Sequence, residues 1–212
     1  MATTTGLRDL KKARTRRLIA DTAARLFAER GYERVTVTDV AREAEVAEQT
    51  VYNYFPTKER LVTDREEQVQ DRLCDLIRSR LPGATPAAAI RGFVLEAVAG
   101  IRSIPPQMWR GELGYLAAIS PTVHRLVLEL TGRQAAALAA AITETTAVTP
   151  EVARLQGIAL AAVFQIIIID AGQRTRDGQS QAEIADELRP VVENILDELD
   201  RWLSVSAPPA QR

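Results

Sequence analysis

Apolar residues near the start of the chain fall at helical spacing in three short runs. Ile19, Ala23, Leu26 and Phe27 mark one face of a helix that stops at Gly31, where glycine suits a left-handed C-cap and Tyr32 can fold back as its hydrophobic contact. Val40, Ala44, Val46, Val51 and Tyr54 then follow at separations of 4, 2, 5 and 3, which predicts a helix, a tight turn and a second helix facing one small core. Ala41 is small where the second helix must cross. That second helix, about Glu48 to Tyr54, turns outward Glu48, Gln49, Thr50, Tyr52 and Asn53, groups able to hydrogen-bond base edges or phosphates. The pattern reads as a helix-turn-helix that could enter a DNA major groove; its bland counterpart is an ordinary exposed helix pair.

Prolines and caps divide the remainder into further helices. Thr57 can cap a long helix to about Leu81, with Val62, Val69, Leu73, Leu76, Ile77 and Leu81 on one side, and Pro82-Gly83 breaks it. Thr85-Pro86 starts a helix to about Ile104, Pro105-Pro106 one to Ile119, and Ser120-Pro121 one to about Thr146. Thr149-Pro150 opens a helix to about Arg176 that is apolar around most of its circumference from Leu155 to Ile169. Its core, Gly157 to Ile169, is 13 residues interrupted by Gln165, too short to span a bilayer. Ser180 and Glu183 form a capping box for the last helix, where Leu188, Val192, Ile195, Leu199 and Trp202 make a seam at separations of 4, 3, 4 and 3. Pro190 should kink or interrupt its early part. The chain thus reads as all-α: residues 1–56 a basic arm and three-helix DNA-binding domain, 57–206 a larger helical ligand-binding and dimerisation domain, 207–212 a disordered tail.

Charge sharpens the picture. The net charge of −1 divides unevenly, with 12 Lys and Arg against 9 Asp and Glu in residues 1–60, so the positive excess lies beside the helix-turn-helix. The segment GLRDLKKARTRR carries Arg8, Lys11, Lys12, Arg14, Arg16 and Arg17 against one acid, Asp9, and reads as a phosphate-seeking arm. One cysteine, Cys74, excludes an internal disulfide and, with His124 the single histidine, leaves no Cys/His zinc spacing; a reducing cytoplasm is the expected home. The N-terminus lacks the apolar region and cleavage site of a secretory signal. Catalytic signatures are missing too: there is no Gly-rich phosphate loop, no H-E-x-x-H and no G-x-S-x-G, and Glu66-Glu67 is expected to be a solvated pair on a charged helix face. No catalytic residue, metal ligand or cofactor is assigned.

The segment LIADTAARLFAERGYERVTVTDVAREAEVAEQTVYNYFPTKERL resembles the tetracycline-repressor (TetR) family of bacterial transcription regulators over roughly residues 12 to 65. The Tyr52/Tyr54/Phe55 block and Lys58 at the start of the fourth helix carry much of the likeness. Two positions depart from it: Glu45 stands where glycine is favoured in the turn, at about 1–2 kcal/mol if the backbone is left-handed, and Ala47 replaces a Ser or Thr cap worth about 1 kcal/mol. The resemblance implies that Gln49, Thr50 and Tyr52, with Glu48 and Thr38, meet base edges or nearby backbone. It also implies that Thr36, Tyr54 and Lys58 hold phosphates, with Asn53 unassigned between the two roles.

It further implies a homodimer through the last two helices, with Leu188, Val192, Ile195, Leu199 and Trp202 in the interface. An effector pocket is implied among the middle helices. Phe93, Met108, Trp109, Tyr115 and Phe164, with Leu95, Leu116 and Leu126, are its apolar candidates, and His124 and Gln165, with Arg110 and Glu112, its polar ones. The resulting expectation is a ligand-responsive regulator, of the repressor kind, released from an inverted-repeat double-stranded operator by a small apolar or aromatic organic molecule, with no membrane partner. An architectural DNA protein without operator preference, and a small-molecule binder with a vestigial DNA domain, are the alternatives.

Overall fold

Side-chain caps and prolines set most of the helix boundaries. The structure, a computed structural model, describes residues 4–205, which form α1 (Thr4–Arg30), α2 (Val37–Glu43), α3 (Glu48–Tyr54), α4 (Lys58–Arg78) and α5 (Pro86–Gly100). A 3-10 turn (Ile101–Ser103) follows, then α6 (Pro106–Trp109), α7 (Leu113–Ile119), α8 (Pro121–Thr145), α9 (Pro150–Arg176) and α10 (Gln181–Val205). The side chains of Thr36, Thr85, Ser120 and Thr149 each accept a hydrogen bond from the backbone N–H three residues on, satisfying an orphan donor of α2, α5, α8 and α9. Proline occupies the first turn of α5, α8 and α9, where its missing N–H costs nothing. Ser180 and Glu183 make the expected reciprocal cap on α10. The tail at 207–212 lies outside the described residues.

Several expectations are corrected. The basic segment is not an arm but the first half of α1, because no Gly or Pro interrupts the run of Leu, Lys, Ala and Arg from Leu7 to Arg30. α4 ends at Arg78, leaving Leu81 outside it and 77% exposed, and Thr57 makes no side-chain cap bond to the helix. The helix expected up to Ile119 is two, α6 and α7. Gly111 lies at the break, and a Cβ there would fall on the Ala24 carbonyl, so the chain turns where it meets α1. α10 runs unbroken through Pro190. That residue is exposed, so the carbonyl that loses its partner faces water. The opposite face buries Ile184, Leu188, Val192 and Leu196 completely, outweighing the proline's cost of about 3 kcal/mol.

α9 is longer than its apolar run suggests. Its most apolar 18-residue window has a mean hydropathy of 2.0, enough by length and composition to cross a membrane, but 44% of that window is buried inside the protein. α7, α8 and α10 pack around it. One close approach is with α7: Gly114 and Gly172 meet backbone to backbone, and a Cβ on either would strike the neighbouring helix's main chain.

Two apolar cores result. The larger is built from α4, α5, α8, α9 and α10, around Leu73, Ile77, Ile90, Leu138, Ile142, Leu160 and Leu188. The smaller joins Ile19, Leu26, Phe27, Val40, Val51, Phe55 and Leu61 to Leu113, Leu116, Val123 and Val127. The first three helices therefore close over α7 and the start of α8, and Ile168 and Ile169 of α9 pack against the same cluster.

Candidate nucleic-acid interface and ligand cleft

The helix-turn-helix is fixed at each of its joints. Gly31 ends α1 at φ 79°, and the Tyr32 ring folds back on Phe27 with centroids 5.3 Å apart. Thr36 and Asp39 cap α2 reciprocally, which holds the Asp39 carboxyl below its usual range, chiefly through the Thr36 hydroxyl and backbone N–H. In the turn Glu45 has φ 54°, the left-handed conformation foreseen from its position, and Ala47 starts α3 without a side-chain cap. Val51 and Phe55 are fully buried and fix the rotation of α3. Its other side faces solvent: Glu48, Gln49 and Asn53 are exposed, Tyr52 is 43% exposed, and Thr50 and Tyr54 are half-buried. The Gln49 amide donates to the Asn53 carbonyl oxygen at 3.2 Å. Thr38 is exposed at the start of α2, whereas the Thr36 hydroxyl is already engaged in capping.

Around this face the cations divide. Arg16 is a clamp: its Nε donates to Asp64 at 3.0 Å, its Nη1 to the Tyr54 carbonyl at 3.3 Å, and its guanidinium lies 4.9 Å from the Phe55 ring centroid. It ties α1 to the end of α3 and to α4, a structural role that the reading of a uniformly phosphate-seeking segment missed. Arg8, Lys11 and Lys12 are exposed and share one shallow concavity with Thr15 and Tyr54. Lys58 is half-buried with its Nζ 4.1 Å from the Tyr32 ring centroid, and desolvation holds its pKa below the ordinary lysine value despite Glu33 and Glu59.

A second site lies between α4, α8 and α9. A cleft of about 140 Å³ is lined on its apolar side by Val127, Leu130, Phe164 and Ile168, and on its polar side by Glu66, Gln70, Gln134 and Gln165, with Glu67 and Arg133 also on its wall. Contrary to the expected solvated pair, Glu66 is half-buried, and its pKa is pushed up to about 7. Burial is the first cause and the charge of Glu112 the second, opposed by Arg65. Glu112 is itself raised by burial although Arg65 donates to it at 3.1 Å. The signal was available in the sequence: Glu66 is four residues after Val62 and three before Val69, on the apolar stripe of its helix.

Of the predicted pocket residues, Phe164 and Gln165 line this cleft, and the Phe93 ring packs at a tilt against Phe164 with centroids 6.4 Å apart. Met108, Trp109, Tyr115 and His124 are not among its lining residues. The break at Gly111 seats α6 against α1; Trp109 packs on the larger core, Arg110 covers the Tyr115 ring at 5.8 Å, and His124 is exposed on α8.

Residues 19–64 match the family model of bacterial regulatory proteins of the tetR family. Over these residues the chain is similar to the TetR family. The matched span runs from the buried face of α1 through the helix-turn-helix to Asp64, the acid that holds Arg16. Among curated relatives, the chain is 32% identical over 76 residues to the HTH-type transcriptional regulator YuxN of Bacillus subtilis, covering 35% of the chain and 26% of YuxN. It is 26% identical over 134 residues to the HTH-type transcriptional regulator TcmR of Streptomyces glaucescens, covering 63% of the chain and 55% of TcmR. The chain thus spans about a quarter and about half of the lengths of these two relatives. A solved structure of NalD from Pseudomonas aeruginosa shares the fold at a TM-score of 0.57 and 21% identity, over 90% of this chain and 98% of NalD.

The predicted seam of α10 is divided by the fold. Leu188 and Val192 are completely buried within the subunit against the larger core, so neither can meet a partner, and Ile195 and Leu199 are half-buried on the same core. The apolar residues left outside are Trp202 (37% exposed) and Val191 (43%) on α10, and Leu155 (55%) and Ile158 (50%) on α9. Spacing alone leaves such a stripe open to either role, because a helix with one apolar seam looks the same whether that seam meets its own subunit or another; here its Leu188 and Val192 face inward.

Proposed function

We propose that this chain is a TetR-family, DNA-binding regulator of transcription that acts in the cytoplasm as a homodimer on an inverted-repeat operator and is released from it by a small organic molecule. The observation that carries the reading is the solvent-facing side of α3, where Glu48, Gln49, Tyr52 and Asn53 stand exposed on a rigidly docked helix beside the cationic concavity of Arg8, Lys11 and Lys12. In this reading Gln49, Thr50 and Tyr52, with Glu48 and Thr38, meet base edges or nearby backbone, Thr36, Tyr54 and Lys58 meet phosphates, and Asn53 serves one or the other. The first helices would serve DNA, and the helices from α4 onward the effector and the second subunit. No catalytic step is assigned. Support for assembly comes from the exposed apolar residues Leu155 and Ile158 on α9 and Val191 on α10.

The test is footprinting and mobility shift on DNA flanking the chain's own gene. Protection of an inverted repeat, with half-sites about one or more helical turns apart, is the expected result. Tyr52→Ala should lose specific binding with little change in melting temperature, since the ring is exposed. Lys58→Ala should weaken all sequences alike and reduce the salt slope by about 1. Equal protection of every sequence would instead indicate an architectural DNA protein, and no binding to any duplex a vestigial DNA domain.

A further inference from the structure

We infer that the cleft between α4, α8 and α9 binds a small organic cation with an apolar body, whose ammonium group is held by Glu66 and the side-chain amides of Gln134 and Gln165. The inference rests on the effector-binding reading above and gives that effector a chemical class.

Three observations carry it. First, Gln134 is 8% exposed and lines the cleft, yet its amide makes no hydrogen bond within the protein among the described residues. An amide on a cleft wall that makes no bond within the protein offers a donor and an acceptor for a ligand to take up. Second, Glu66 on the same wall has no ion-pair partner, because the adjacent Arg65 is directed to Glu112. A half-buried carboxylate that makes no ion pair within the protein is open to a cation from outside. Third, another part of the lining, Phe164, Ile168, Val127 and Leu130, is apolar, and Phe93 packs at a tilt against Phe164.

Size fits one ring. The cleft holds about 140 Å³, and a cavity of about 150 Å³ is enough for benzene. The charges around Glu66 favour a cation over an anion. Glu67, on the same helix, is held by Arg60, and Glu112 adds a negative field from the turn before α7. Arg133 of α8 is an exposed lining residue that opposes this field, while α9 contributes the neutral Gln165 to the lining. An ammonium at Glu66 would displace the proton that burial favours there, so binding and proton release are coupled.

Calorimetry with benzylammonium, benzyl alcohol and benzoate tests this on the full chain, since the three differ chiefly in the charge on one substituent. Benzylammonium should bind most tightly at pH 8, at least about tenfold better than either analogue, as a charge-assisted hydrogen bond predicts. Its affinity should fall by a similar factor when pH is lowered to about 5.5, with protons released on binding near neutrality. Glu66→Gln should remove the preference for benzylammonium while circular dichroism confirms the fold. If that variant fails to fold, the pH series on the unsubstituted chain carries the same test. Equal or tighter binding of benzoate or of the alcohol, pH-independent binding, or no binding of benzylammonium overturns the inference. Operator binding measured on the same preparation without ligand separates a failure of the cleft from a failure of the regulatory reading.

Discussion

Glu45 keeps its backbone at φ 54° although it has a side chain. A left-handed conformation costs a non-glycine residue about 1–2 kcal/mol, and the exposed Glu45 side chain does nothing visible to offset it. Glu45→Gly should therefore raise the stability of the helix-turn-helix by about 1 kcal/mol in chemical denaturation, less the entropy glycine adds to the unfolded chain. Glu66 makes the opposite demand. Its folded pKa is raised from 4.5 to about 7, so its contribution to stability is fully present below pH 4.5 and lost as pH rises through about 7. Melting experiments should show Glu66→Gln gaining on the parent chain from about pH 5 to about pH 8, by at most about 3 kcal/mol for a half-buried group. A difference that does not change with pH would contradict the burial of that carboxyl. The strained turn was legible in the sequence because one position in a known motif had the wrong residue. Glu66 was misread because its neighbour Glu67 and the charges around it suggested solvent, although its place on the apolar stripe said otherwise.

Helix ends marked by a hydroxyl and a proline were legible to within a residue, since the cap is a local interaction: α8 and α9 begin where Ser120-Pro121 and Thr149-Pro150 place them. The break between α6 and α7 was not, because its cause is Ala24, almost ninety residues upstream. Tertiary contact likewise explains the contact of α7 with α9. Gly114 and Gly172 bring two backbones together with no side chain between them, so Gly172→Ala would force the helices apart. Overpacking of this kind typically costs about 1–3 kcal/mol, and more where, as here, the obstacle is main chain. Thermal melting should show the loss, and Gly132→Ala, where a Cβ meets open space, should be neutral or slightly stabilising.

For the whole molecule, Leu155 and Ile158 of α9 are large apolar side chains at least half exposed, and they are where a second subunit is proposed to dock. Ile158→Arg should leave the subunit folded, since half of that side chain is already exposed. It should convert a dimer to monomer by light scattering, because a charge would be buried unpaired at a cost of several kcal/mol. A dimer unaffected by this change would place the interface elsewhere. The all-helical architecture and the helix-turn-helix were readable from period and spacing, but the direction in which the last helix turns its seam was decided by packing on α5 and α9 that one sequence does not display.

The smaller core also bears on how the chain is made. Its N-terminal half, Ile19 to Leu61, leaves the ribosome first, but the residues that cover it, Leu113, Leu116, Val123 and Val127, follow more than fifty positions later. Until Val127 has emerged, the nascent helix-turn-helix has an open apolar underside, a surface that chaperones recognise and that invites aggregation. Competence to bind DNA would then arise late in synthesis, after α8 has begun to form, so ribosome-stalled chains ending before residue 113 should be far more sensitive to protease than chains that extend past α8.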